Sequence, residues 1–252
     1  MKKGFWIVVR NMIREADVIL EILDARMPDL TRNKRLEQYA ANSGKRLILV
    51  INKKDLISED ATRNIEKRYS DMDYALVCSK SHNGLSRFIG MIKSKAAKKD
   101  KLKVAFIGYP NTGKSSLVNM LSKRGKAKTS LESGLTRGMQ LINGKGGLML
   151  IDTPGVVPYE DREEILLGLT SAISPDKLKD PVVVAYELID IFKKNNPVAL
   201  ENGCGIDSSL DPEELLQEFG KKRHMLMKGG IIDERRAAIS LLTDWHNGKI
   251  RV

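Results

Sequence analysis

The chain has 252 residues, 30% charged and 42% hydrophobic, enough for one sizeable core and a small second lobe. No apolar run approaches the roughly 18 residues of a membrane span, and Arg10 and Arg14 interrupt the apolar N-terminus, so neither a membrane anchor nor a signal peptide is expected. Net charge is +11, and it is unevenly spread: residues 1–159 hold 30 basic and 15 acidic side chains, residues 160–252 hold 13 and 17. The last stretch, 221–252, turns basic again with 8 against 3. An excess of this size favours a polyanionic partner such as RNA over a small molecule alone. Cys78 and Cys204 are far apart and form no metal-ligand cluster, so free thiols in a reducing cytoplasm are expected.

In chain order, Phe5, Val8, Val9, Met12 and Ile13 share one face of a helix over 5–16. A mostly apolar strand, Val18–Leu23, ends in Asp24-Ala25-Arg26-Met27-Pro28. A helix over 33–43 closes at the Asn42-Ser43-Gly44 turn, and a second strand, Arg46–Ile51, delivers Asn52-Lys53-Lys54-Asp55 at its carboxyl end. A helix over 60–69 leads to a short strand, 75–77, that runs into Cys78-Ser79-Lys80. Residues 84–96 read as helix, and a charged connection, 98–101, follows.

The strand 103–107 opens onto Gly108-Tyr109-Pro110-Asn111-Thr112-Gly113-Lys114-Ser115-Ser116 and a helix reaching about 123. Strand, glycine loop, Lys-Ser and helix make a phosphate-binding loop. Its amides, from Asn111 through Ser116, and the helix N-terminus turn positive ends toward anionic oxygens. Lys114 is placed to reach the β- and γ-phosphates, and Ser115 to give a hydroxyl to Mg²⁺. Residues 124–138 are basic and weakly periodic. Strands at 139–143 and 147–151 flank an Asn143-Gly144 hairpin signal, and the second ends in Asp152-Thr153-Pro154-Gly155.

Strands alternating with helices over 1–155 predict an α/β, doubly wound, mostly parallel sheet with its binding loops at the strands' carboxyl ends. Beyond 160, helix signals dominate: Val184, Ala185, Leu188, Ile189 and Phe192 share a face, Asp211-Pro212 opens a helix, and Gly248 closes one over 232–247. Asn202-Gly203-Cys204-Gly205 reads as a loop. The expected division is 1–160 and a helical domain at 161–252.

The Asn52–Asp55 turn specifies a base. A carboxylate at Asp55 accepts from guanine N1–H and N2–H₂, a donor pair adenine lacks. Asn52 ties this turn to its neighbours and Lys53 lays its stem against the purine. Ser79 and Lys80, in a turn similar to Ser-Ala-Lys with Cys78 in place of the serine, would border the ring. Asp152 would hold Mg²⁺ through water and the Gly155 amide would meet the γ-phosphate. Thr136, in Gly134-Leu135-Thr136-Arg137-Gly138, is the candidate for the residue that caps Mg²⁺ in the triphosphate state. His82, His224 and His246 suggest no triad, and Trp245 and Phe192 read as helical core.

All five GTPase elements are thus present, with the base-binding pair ahead of the phosphate-binding trio. That order resembles the circularly permuted GTPases of the YlqF/RbgA family, whose members assist large ribosomal subunit assembly. Asp24-Ala25-Arg26-Met27-Pro28 is similar to the family's opening signature, and 235–249 resembles its helical C-terminal domain. The resemblance implies a GTP/GDP-binding, Mg²⁺-dependent GTPase that is cytoplasmic and monomeric, with rRNA and the large ribosomal subunit as partners and no membrane. Val156-Val157 stand where Ras-like GTPases place a water-orienting glutamine, so catalysis rests on Lys114, Asn111 and Thr136 and intrinsic hydrolysis should be slow. Asn111 either only shapes the loop or, like the asparagine of potassium-stimulated GTPases, helps hold a K⁺ near the phosphates. The alternative is a GTP-gated RNA-binding module with negligible turnover.

Overall fold

The computed structural model describes residues 3–81, 84–96, 99–123, 140–152 and 164–251. They fall into two compact units, Met1–Asp55 with Thr62–Glu160, and Leu56–Ala61 with Asp161–Val252.

The first unit is a six-stranded sheet. In chain order its elements are α1 (Lys3–Glu15), β1 (Val18–Asp24), α2 (Lys34–Asn42), β2 (Arg46–Asn52), α3 (Glu59–Arg68), β3 (Tyr74–Leu76), α4 (Leu85–Ser94), β4 (Leu102–Gly108), α5 (Lys114–Leu121), β5 (Gln140–Asn143) and β6 (Leu148–Asp152). The strand order is β3-β2-β1-β4-β6-β5. All pairs are parallel except β5 with β6. The first residues of α3 belong to the second unit.

Every residue of β1 is buried, as a central parallel strand covered on both faces requires. Period-two alternation divides its side chains. Val18, Leu20 and Ile22 join Val104, Phe106, Ile48 and Val50 beneath Phe88 and Ile92 of α4 and Leu117 and Leu121 of α5. On the other face, Ile19 meets Ala105, Ile107 and Ile151 beneath Val9, Met12 and Ile13 of α1 and Leu36 and Ala40 of α2. The sheet is therefore doubly wound. Each fully buried aliphatic side chain contributes about 2 kcal/mol. Glu21, on the second face, is the polar exception at 0% exposure.

In this unit the element boundaries fall within two residues of the sequence reading, and the difference at the end of α5 has a clear cause. The helix α5 stops at Leu121, short of 123, because Ser122 turns extended and bridges Gly144. The Asn143-Gly144 signal does mark a hairpin, closed by a 3-10 turn at Lys145–Gly147.

The second unit is helical: α6 (Glu164–Leu169), α7 (Pro181–Asn195), α8 (Pro197–Cys204), α9 (Pro212–Lys222) and α10 (Glu234–His246). Three of these begin with a capping side chain followed by proline at the first helical position. Asp180, Asn196 and Asp211 each accept from backbone N–H groups of the first turn. The expected loop at 202–205 is instead the last turn of α8, and only Gly205 leaves the helix, in the left-handed conformation. Gly203 is tolerated inside α8 because Ile250 packs over it, where a Cβ would come within 3.0 Å of the isoleucine side chain. Trp245 donates its indole N–H to the Leu169 carbonyl at 2.8 Å. Its ring meets Phe192 edge-on at 5.4 Å, so both aromatics are core residues, as expected. Cys78 and Cys204 are free thiols.

Candidate functional site

The site forms where four strands of the first unit end. β4 leads through Tyr109–Thr112 into α5, whose N-cap is Gly113. The backbone alternates in hand across the loop: Gly108, Asn111 and Gly113 have φ of 152°, 61° and 97°. Such alternation turns successive N–H groups toward one point, an anion-binding arrangement, and the start of α5 adds its unpaired amides. Two glycines are required by contact. A Cβ on Gly108 would stand 2.6 Å from the Ile22 carbonyl, and one on Gly113 would stand 2.1 Å from Asn52 Nδ2.

Asn52 is the tie between three loops. It is fully buried at the end of β2. Its Nδ2 donates to the Thr112 carbonyl at 2.9 Å, and its Oδ1 accepts the Ser79 amide at 3.0 Å. The phosphate loop and both base loops, up to 60 residues apart in sequence, thus share one side chain. A buried amide with both ends satisfied holds its partners firmly, because releasing either leaves an unpaired polar group. The ladder also runs on past the strands: Val77 N donates to Ile51 O at 2.9 Å and Lys54 N to Val77 O at 3.1 Å.

Asp55 lies just beyond, one-third exposed. Its Oδ1 accepts from Cys78 Sγ at 3.3 Å and its Oδ2 from Lys80 Nζ at 3.2 Å. Burial alone would raise its pKa, but the thiol and the ammonium outweigh that and hold it below the usual carboxylate value. It is therefore an anion able to face a pair of donors. Cys78 takes the place of the usual serine and still supplies a donor.

Lys53 is anchored on the opposite side. Its ammonium pairs with Asp24 Oδ2 at 2.7 Å, and its backbone is left-handed, with φ 67°. Asp24 also takes a two-pronged grip from Arg26, at 3.0 Å from Nε and 2.8 Å from Nη2. The sequence carries a signal for this cluster, an acid closing a mostly apolar strand next to Ala-Arg, yet assigns it no function.

Of the expected site residues, the structure brings together Asn52, Lys53, Asp55, Ser79, Lys80, Asn111, Thr112, Gly113, Lys114, Ser115 and Ser116 along one edge of the sheet. Thr112 is fully buried, with its hydroxyl turned back to Tyr109 O at 2.9 Å, so only its backbone remains for the site. Lys114 is buried, while Ser115 and Ser116 are exposed on the first turn of α5. Asp152 is the last residue of β6. Thr136, Gly155, Val156 and His82 lie outside the described residues.

The arrangement fits a guanine nucleotide: an amide cradle with a lysine for the phosphates, and a carboxylate beyond a strand end for the base. Ser115, exposed on the first turn of α5, offers a hard oxygen of the kind Mg²⁺ takes, and the ion would screen phosphate charge when bound.

Comparison with known proteins agrees. The RsgA GTPase family matches residues 8–160, and a family described as 50S ribosome-binding GTPase matches 103–220. An uncharacterized GTP-binding protein of Methanocaldococcus jannaschii is 34% identical over 96% of this chain and 65% of its own length. GTPase grn1 of Schizosaccharomyces pombe is 32% identical over 96% and 59%. The chain thus spans about half to two-thirds of the curated relatives it matches. Among solved structures, GDP-bound YlqF has a TM-score of 0.69 at 21% identity, covering 96% of this chain and 95% of that one. GNP-bound YlqF from T. maritima scores 0.65 at 22%, covering 100% and 96%. With a P-loop in mid-chain and its base-recognition loops ahead of it on the same sheet, this chain belongs to the RsgA-type GTPase family and has the circularly permuted fold of YlqF.

Proposed function

We propose that the protein hydrolyses GTP to GDP and phosphate and acts as a nucleotide switch in large ribosomal subunit assembly. The observation that carries the nucleotide half is Asn52, which holds the phosphate loop and the guanine-reading loops in one constellation. The assembly half rests on the basic first 159 residues and on the relatives, which include a nucleolar GTP-binding protein 2 of Pneumocystis carinii. In this reading residues 1–160 form the GTPase domain and 161–252 a helical domain. Ser115, Thr136 and Asp152 serve Mg²⁺, and Asn111, left-handed in the phosphate loop, helps hold a K⁺ whose charge replaces an arginine finger. The protein works as a cytoplasmic monomer on rRNA and the large subunit.

Val156-Val157 favour a second reading, a GTP-gated RNA-binding module with negligible turnover, because valine cannot orient water. Single-turnover GTP hydrolysis with and without large ribosomal subunits separates the two, with co-sedimentation under GDP or a nonhydrolysable GTP analogue in parallel. Subunit-stimulated hydrolysis together with analogue-dependent co-sedimentation supports the switch. No stimulation leaves the binding module, and equal co-sedimentation in both nucleotides rejects both. Equal rates in K⁺ and Na⁺ reject the cation role of Asn111.

A further inference from the structure

We propose that Asp24 and Arg26 are positioning residues for guanine recognition: through Lys53 they set the shape of the Asn52–Asp55 turn. The inference rests on the guanine-nucleotide reading above and adds residues that do not themselves read the base.

The register supplies the placement. Asp24 and Asn52 are the last residues of neighbouring parallel strands and face each other across the ladder. The Ala25 amide continues it by donating to Asn52 O at 2.8 Å. The Asp24 carboxylate therefore stands where the recognition turn begins. It is 5% exposed and over-determined. Oδ1 accepts from the Arg26 amide at 3.1 Å and from Arg26 Nε at 3.0 Å; Oδ2 accepts from Arg26 Nη2 at 2.8 Å and Lys53 Nζ at 2.7 Å. The Asp24 amide donates to Thr31 Oγ1 at 3.0 Å, and that hydroxyl donates on to carbonyls of the Met27–Pro28 turn. Burial alone would raise the Asp24 carboxyl, but the two cations bring it down to about 2. The anion is therefore permanent near neutral pH.

A fork from Arg26 fixes the plane of the carboxylate and leaves one oxygen aimed at Lys53. Asp24 and Arg26 alone would already be a neutral buried pair. Adding Lys53 leaves a net positive cluster whose second cation is desolvated, which burial by itself disfavours. Lys53 also carries a left-handed backbone that a side chain with Cβ seldom adopts, and such strain persists where the surroundings enforce it. The ion pair supplies that enforcement. Asn52 on one side of Lys53 is fixed by the phosphate loop, and Asp55 on the other depends on the turn between them for its direction.

The test is a double-mutant cycle on the full chain, read as Kd for a fluorescent GDP analogue and as the GDP/IDP affinity ratio. Asp24→Asn is expected to weaken GDP binding about tenfold, less than the full cost of breaking a buried charge pair because the change reaches the base only through the turn. It should also lower the GDP/IDP ratio, since IDP lacks the 2-amino donor that meets Asp55. In a Lys53→Ala background the same change should cost nothing further. Arg26→Met, which frees the carboxylate without removing it, should give a smaller loss of about threefold that also vanishes with Lys53→Ala. It serves if Asp24→Asn does not fold. Equal costs with and without Lys53, or a lowered melting temperature with unchanged Kd and GDP/IDP ratio, would overturn the proposal. Wild-type protein that binds GDP no more tightly than ADP would overturn the guanine reading as well, which separates the two failures.

Discussion

Gly113 has two reasons to be glycine. Its φ of 97° is a conformation that L side chains rarely adopt, and a Cβ would sit 2.1 Å from Asn52 Nδ2. Alanine there must push Asn52 away from the Thr112 carbonyl and disturb the Ser79 amide with it. Gly113→Ala is therefore expected to lower GDP affinity at least about a hundredfold by isothermal titration, more than a tilted helix start alone would cause. An unchanged affinity would mean that Asn52 does not organise the site. The motif residues themselves were legible from the sequence because each has a fixed chemical task at a fixed spacing. The contacts between Asn52, Thr112 and Ser79 were not, since a side chain's partners across 60 residues depend on strand register that spacing does not encode. Lys53 and Asp24 show the same limit, for nothing in either motif alone names the other.

At the scale of single elements, β1 carries the most informative anomaly. Glu21 is fully buried in the central strand; its Oε1 accepts the Asn33 amide at 2.6 Å, and its Oε2 has no hydrogen-bond partner among the described residues. Burial pushes its carboxyl up to about 8 from an ordinary 4.5, against the opposing pull of that amide. Between those values the folded protein keeps a proton that the unfolded chain releases, so stability falls as pH rises through that window. Glutamine cannot ionise and removes the slope. Glu21→Gln should melt on the order of 5 °C higher than wild type at pH 8.5, with the gap closing toward pH 5. A gap independent of pH would show that Glu21 is charged in the fold. Element boundaries were largely legible, because parallel strands read as apolar runs and a helix such as α9 opens with an Asp cap and proline behind it. The α8 helix was not, since its Asn202-Gly203 pair imitates a turn, and the close packing of Ile250 on Gly203, which requires glycine there, is a contact between segments distant in the chain.

For the whole molecule, charge and chain order are the features that bear on function. The positive excess lies in residues 1–159, with a second basic stretch at 221–252. Binding to a polyanion by such surfaces releases counterions, so affinity for the large subunit should fall at least about tenfold between 50 and 200 mM salt. Insensitivity to salt, measured by sedimentation, would argue for a protein rather than an RNA contact. The doubly wound class was legible from the alternation of strands and helices, and the permuted order from the motifs.

The position of β1 in the sheet also bears on how the protein is made. One of its edges pairs with β2, about 28 residues later in the chain, and the other with β4, some 86 residues later. During synthesis the base-recognition half emerges first, and its most apolar strand keeps an unpaired edge until residues 102–108 arrive. That exposed template is an invitation to mispairing with other nascent chains and a natural binding site for chaperones. A permutation that leaves the finished site unchanged therefore moves the hazard to the period of translation.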